Sequence, residues 1–293
     1  MTQKQLMPRI VNLFFIGLST LMIIPFLLVI AVSFSSEASI KKNGYAFIPE
    51  TFSMQAYKYI FDIPEVVIRA YGVTIFITIV GTVFSLLITT MLAYTISRSD
   101  YKLRNVTSFY VFFTMLFGGG LIPWYILMTQ YLHLKDTIWI LIVPGLFNAW
   151  NALVLKGFLS KIPMEIIESA KMDGAGEWRI FFTIIIPLST PALATMGLLI
   201  AFGYWNEWFN ALLFIDNQNL VPLQLLLVRM MNSIEIITAN LDRFGLPSLD
   251  TSKFPTMSVR MAMVVVAAGP MMLVFPFFQK YFVQGLTIGS LKG

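Results

Sequence analysis

The 293-residue chain contains no cysteine and a single histidine, His133. The first absence excludes a disulfide framework, a thiolate metal site and a cysteine nucleophile, and it leaves the redox compartment open. The second removes a histidine-based metal centre and a Ser-His-Asp triad from consideration. Charge is also scarce. Asp, Glu, Lys and Arg make up 12% of residues, about half of the roughly 25% that a soluble domain uses to wet its surface. No phosphate-cradling loop is present: Gly118, Gly119 and Gly120 lie in an apolar stretch with no Lys-Ser or Lys-Thr after them. What fills the chain instead is apolar, at 57%, and a surface so short of polar groups must face lipid. Neither the metals nor the cofactors common in enzymes find a pattern here, so no cofactor is expected in this chain.

A helix needs about 20 mostly apolar residues to cross the hydrocarbon core. Six stretches qualify, at about 11–36, 70–97, 105–132, 137–155, 189–215 and 261–279. Pro187 and Pro191 place the start of the fifth near Ser189. The first follows Lys4 and Arg9 but is too long for a signal-peptide core, and no small-residue cleavage site follows it. The expectation is an all-α integral membrane protein of six transmembrane helices, residues 1–293 forming one transmembrane domain. With an even number of spans, both termini lie on one side. That side holds Lys4, Arg9, Arg98, Lys102, Arg104, Lys280 and Lys292, while the opposite loops are charge-balanced. Lys and Arg accumulate on the cytoplasmic side, so both termini and a loop at 160–188 are expected there. The net charge of +5 is thereby topological, and no nucleic-acid partner is implied.

That loop carries its own punctuation. Pro163 suits a first helical turn, Glu165 and Glu168 sit near the positive end of the helix dipole, and Asp173-Gly174 is a stop signal. A second short helix is expected from about Gly176 to Pro187. Two readings stay open on these residues alone. One is an ordinary amphipathic connector; the other is a helix–turn–helix offering Ile166, Ile167, Ala170 and Met172 to a partner.

The run Glu168-Ser169-Ala170, then Gly174, then Ile184-Ile185-Ile186-Pro187 resembles the EAA motif of ATP-binding-cassette importer permeases at the family's spacing. Ser169 replaces Ala and Ile186 replaces Leu. Phe117 to Pro123, Trp205-Asn206-Glu207-Trp208 and the short C-terminal tail are similar to maltose-type carbohydrate permeases. Among these they are most similar to the second permease of oligosaccharide systems in Gram-positive bacteria. The resemblance implies a type I ABC importer permease fold in a bacterial plasma membrane. It also implies a coupling helix built on Glu168, Ser169, Ala170, Asp173 and Gly174. The implied partners are a second homologous permease, two ATP-binding subunits that hold ATP and magnesium, and an extracellular solute-binding lipoprotein. The implied cargo is an oligosaccharide.

Glu207 is the one carboxylate inside a span, which marks it as a functional candidate because burial is costly. Tyr204 and Glu207 share a helix face at i, i+3 spacing. By the same resemblance, Tyr204, Glu207, Asn206 and Asn210 are candidates for the substrate path. The alternative is that Glu207 sits at the outer interface or pairs with the partner permease. Asn148, Trp150 and Asn151 read as inter-helix hydrogen bonding. The outer loop at 216–256 is too long for a bare connector, with helical spacing over Leu223–Leu241 and irregular sequence from Asn240 to Phe254. An ion-coupled secondary transporter of a small polar solute is the rival, disfavoured because no pair of broken helices stands out.

Overall fold

The longest apolar stretches become the longest helices. In the computed structural model, which describes residues 3–240 and 256–287, α1 spans Gln3–Ser33 and is followed by two short helices, α2 (Glu37–Asn43) and α3 (Gln55–Ile60). Next comes α4 (Pro64–Ser97), at 34 residues long enough to cross a bilayer with some tilt. Among the described residues there is no strand, only one isolated bridge between Ser35 and Phe52. The fold is all-α.

The middle of the chain is broken where the sequence suggests continuous spans. α5 (Arg104–Leu116) and α6 (Leu121–Ile126) are separated at Phe117–Gly120 and, with the π turn Leu127–Tyr131, bend by 110°. Two 3-10 turns, Ile138–Leu141 and Val143–Gly145, lead at 47° into α7 (Ala149–Leu159), which Asn148 caps by accepting the Asn151 amide at 3.2 Å. After α8 (Met164–Met172) come α9 (Glu177–Ile180), a π turn over Phe181–Ile185 and α10 (Ile186–Leu188). An 83° bend at Ser189 then starts α11 (Thr190–Trp205). The wide π turn lets helical backbone run into Pro187, whose ring and missing N–H oppose regular α-geometry. A further break over 206–208 precedes α12 (Phe209–Phe214), and α13 (Leu223–Asn240) and α14 (Thr256–Thr287) are the last helices among the described residues. Among the described residues, three helices are long and apolar enough to span, or up to six segments if each bent pair is one span.

The chain divides into two compact units, one of residues 1–67 and 227–270, the other of 68–226 and 271–293. In the first, Glu37 is 3% exposed and satisfies the start of α14. Its carboxylate accepts from the Thr256 hydroxyl at 2.7 Å, the Met257 amide at 3.1 Å, and the Ser258 amide and hydroxyl at 3.2 Å. A buried carboxylate is tolerable when it fills several donors in this way, here the otherwise orphaned amides of a helix start. The apolar window of α1 is 0% buried, leaving Leu13, Phe14, Ile16, Leu21 and Met22 as open apolar surface.

In the second unit α4 supplies a buried stripe, Val73, Thr74, Ile77, Thr78, Ser85, Thr89 and Ala93, recurring at three- and four-residue steps. One core gathers Ile77, Ile140, Leu141, Ile142, Phe214 and Leu225. The Leu223 amide, an orphan donor at the start of α13, is taken by Thr74 Oγ1 at 2.8 Å. That contact pins the beginning of the long loop after α12 to α4, and Arg69 reinforces it by donating to Asn219. The irregular segment expected at 240–254 lies, from 241 on, outside the described residues.

Candidate functional site

The loop between α7 and α11 is built from the turn outward. Gly174 sits at φ +78°, where a side chain is strained. Its amide donates to the Lys171 carbonyl at 3.0 Å and the Ala175 amide to Ala170 at 3.0 Å. That pair of bonds is the Schellman arrangement, which satisfies carbonyls that the end of α8 leaves open. Asp173 is the helix's last capped position, its amide donating to Ser169 at 3.0 Å.

α8 has two faces. Ile167 and Ala170 point inward, into a core with Ala93, Tyr94, Leu155, Leu159, Ile180, Phe181 and Ile185. Glu168, Ser169, Asp173 and Met172 point outward, Met172 being 88% exposed. The face offered to a partner is therefore narrower than sequence spacing suggests. Ile167 and Ala170 anchor the helix to its own chain, while Ile166 and Met172 remain available. The Ser169 hydroxyl donates to the Ile166 carbonyl at 3.0 Å and adds no bulk outside.

An ionic cluster, which the sequence offers only as loop charges, ties this loop to α4. Arg98 pairs with Asp100 and Glu177, and Lys171 lies 2.9 Å from Glu177 and 3.5 Å from Asp100. The Arg98 guanidinium also donates to the Tyr94 hydroxyl at 3.1 Å and sits 5.5 Å from that ring. The Arg98 hydrogen bonds hold the Asp100 carboxyl down at about 2. They raise the Arg98 guanidinium in return, against a partial desolvation. The only signal in the sequence is distance: residue 98 and residue 177 are far apart, and nothing local pairs them. Exposed pairs each contribute little, but four linked charges fix the register of α8, α9 and the end of α4.

The second candidate region is the break after α11. Tyr204 is 5% exposed, and its hydroxyl donates to the Ile142 carbonyl at 2.9 Å. A Cβ added at Gly81 would lie 2.5 Å from its ring, and one at Gly145 would lie 2.9 Å away. Tyr204 is thus wedged between α4 and the 3-10 segment, with its hydroxyl occupied by a carbonyl at a helix break. Glu207 lies beyond the end of α11, so the two do not share one continuous helix face. The Glu207 carboxylate accepts from the Asn210 amide at 2.7 Å and from its side-chain nitrogen at 3.0 Å. Asn206 is exposed; it donates to Phe202 at 2.8 Å and accepts from Gln224 at 3.2 Å. Irregular backbone at membrane depth persists only where protein buries it or where it lines a wet cavity. The structure therefore brings Asn206, Glu207, Asn210 and Gln224 together at a broken helix, with Tyr204 behind them. Gln224 carried no mark in the sequence because its contact depends on the fold of the loop after α12.

Comparison with known proteins gives a consistent set of matches. The family model described as binding-protein-dependent transport system inner membrane component matches residues 76–288. Protein LplC of Bacillus subtilis is 40% identical over 96% of this chain and 93% of its own length. The polygalacturonan/rhamnogalacturonan transport system permease protein YtcP of Bacillus subtilis is 37% identical over 99% of this chain and 100% of its own. Among solved structures, a bacterial ABC transporter involved in the import of the acidic polysaccharide alginate has a chain that superimposes with a TM-score of 0.78 at 30% identity, covering 96% of this chain and 99% of that one.

Proposed function

Because the chain belongs to the family of binding-protein-dependent transport system inner membrane components, we propose that it forms half of the path of an oligosaccharide importer and takes its motion from α8. It is a permease subunit of an ATP-binding-cassette importer and performs no chemistry of its own. The names of its relatives favour carbohydrate: one is a polygalacturonan/rhamnogalacturonan permease and another belongs to an alginate importer. The open apolar surface of α1 and the bent spans suit a chain that lies in the bacterial plasma membrane beside a second, homologous permease. Both termini and the α8 loop then face the cytoplasm. Two ATP-binding subunits hold ATP and magnesium on that side, and a solute-binding lipoprotein delivers cargo on the other.

The observation that carries this proposal is the two-faced α8. Glu168, Ser169 and Asp173 are presented outward on a helix closed by Gly174, while Ala170 and Ile167 seat it in the core shared with α4 and α7. Closure of the ATP-binding subunits around ATP would displace α8. Its apolar seat and the Arg98 cluster would pass that displacement to α4, and the π turn and Pro187 would pass it to α11. The rival ion-coupled carrier is disfavoured in the sequence by a single intramembrane carboxylate and by the lack of an inverted half-repeat or a matched pair of broken helices. Family membership also argues against it.

For cargo contact, Asn206, Glu207 and Asn210 supply acceptors and donors suited to sugar hydroxyls, and Tyr204 holds the break open behind them. The test is uptake by the reconstituted importer, with neutral and uronate-bearing oligosaccharides presented by its binding protein. Glu207→Gln keeps the cap on α12 but removes the charge; Asn206→Ala removes the side-chain amide. Uptake is expected to fall about tenfold in either variant, roughly the loss of one hydrogen bond to a sugar hydroxyl, while binding-protein-stimulated ATP hydrolysis persists. Unchanged uptake in both variants would assign substrate contact to the partner permease alone.

A further inference from the structure

Beside the seat of α8, a cavity of about 580 Å³ opens among the end of α4, the start of α5, the end of α7 and the start of α8. Four cations line it, Arg98, Arg104, Lys156 and Lys161, against one carboxylate, the exposed Glu165. Arg98 is spent on Asp100 and Glu177. The other three have no ion-pair partner among the described residues. Lys156 is half-buried and donates to the Ser108 hydroxyl at 2.8 Å, and the Lys161 ammonium lies 5.6 Å from the Phe158 ring centre. Two helices begin at the cavity, α5 with 13 residues and α8 with nine, and neither has a side-chain cap. Their amides add positive potential to that of the three cations. Three cations without an ion-pair partner among the described residues, set against the one carboxylate Glu165, give this hollow a net positive lining suited to an anion.

We propose that this cavity binds the phosphate of an anionic phospholipid headgroup. A lipid, rather than a dissolved phosphate, fits what adjoins the cavity. Leu103, Val106, Phe109 and Tyr110, between 57% and 68% exposed, lead away from it along the first turns of α5. An acyl chain can follow that apolar strip while the phosphate accepts from Lys156 and Lys161. Basic pockets between helix ends are known as headgroup sites in membrane proteins generally. The occupant would brace α8 against α5 and α7, so lipid composition would tune how stiffly the coupling helix is held. The leaflet rests on the orientation proposed above, whereas binding itself does not.

The test uses the assembled importer, purified with its partner permease and ATP-binding subunits and examined by native mass spectrometry. Phosphatidylglycerol or phosphatidylcholine is titrated in. The wild type is expected to retain phosphatidylglycerol in preference. The K156Q/K161Q variant is expected to bind it roughly 30-fold more weakly, about fivefold per cation. Ser160→Asp, which adds a negative charge to the cavity wall and removes no cation, is expected to do the same in case the double variant assembles poorly. K102Q/R179Q, which alters exposed cations outside the cavity, leaves retention unchanged. Equal retention of the two lipids, full retention by both cavity variants, or equal loss in K102Q/R179Q would each overturn the proposal. So would stabilisation of the wild type by inorganic phosphate in phosphatidylcholine nanodiscs with no preference for phosphatidylglycerol, which would assign the cavity to a soluble phosphate. An error in orientation shows separately, as labelling of Lys161→Cys from outside intact cells.

Discussion

Tyr204 shows how one side chain can organise a membrane core. Its ring occupies the space that Cβ atoms at Gly81 and Gly145 would need, and its hydroxyl satisfies the Ile142 carbonyl. Overfilling a packed core costs about 1–3 kcal/mol, so Gly81→Ala should lower the thermal stability of the purified importer. Tyr204→Leu shortens the ring that a new methyl would strike. The double variant Gly81→Ala/Tyr204→Leu should therefore be more stable than the sum of the single effects, a coupling readable in a thermal-melt cycle. Strict additivity would mean that the ring and Gly81 do not meet. The sequence marks Tyr204 as notable but says nothing of this role, because the partners lie on helices far away in the chain. Glu207 is different: its rarity as a charge within an apolar stretch makes it visible from composition alone.

At the scale of elements, the turn at Gly174 was legible and its orientation was not. Asp173-Gly174 announces a helix stop, and the Schellman bonds follow from it. Which face of α8 turns inward depends on Leu155, Tyr94 and Phe181, which no local pattern reveals. A side chain at a positive φ costs about 1–2 kcal/mol, least for Asn and most for β-branched residues. Gly174→Asn should therefore keep most ATP-coupled uptake, Gly174→Ala less, and Gly174→Val least, with assembly followed by co-purification of the ATP-binding subunits. A reversed order would remove the turn from the account. The Arg98 cluster sets a pH expectation as well. Asp100 is held down at about 2, so its contribution is present above the ordinary carboxylate range and is lost only as pH falls toward that value. Between pH 8 and pH 5 a melting curve should show no step from Asp100. Stability should then fall as pH drops from the ordinary Asp range near 4 toward about 2, and in Arg98→Gln, where the folded carboxyl titrates closer to the unfolded one, that fall should shrink.

Across the whole molecule, length and hydropathy mark the long apolar stretches, and they could not show that three of them are bent. A continuous apolar run looks the same whether the helix is straight or folded back, as between Leu116 and Leu121. The breaks at 117–120 and 206–208 and the bend at Ser189 carry weak local marks: a glycine triplet, an Asn-Glu pair and two prolines. Each mark was visible, yet the angle depends on what the segment packs against. Charge placement sets an expected orientation, and the spacing from Glu168 to Pro187 ties the chain to its family independently of composition.

The central claim is that α8 docks onto an ATP-binding subunit, and the absence of native cysteine makes it directly measurable. Met172→Cys places the one thiol of this chain at an 88% exposed position beside Gly174. With single cysteines introduced across the surface of a cysteine-free ATP-binding subunit, oxidation should give a disulfide-linked pair in the assembled importer, with a yield that changes when ATP is added. If Met172→Cys never links to that subunit and is instead labelled from outside intact cells, α8 is not the coupling element and the account fails.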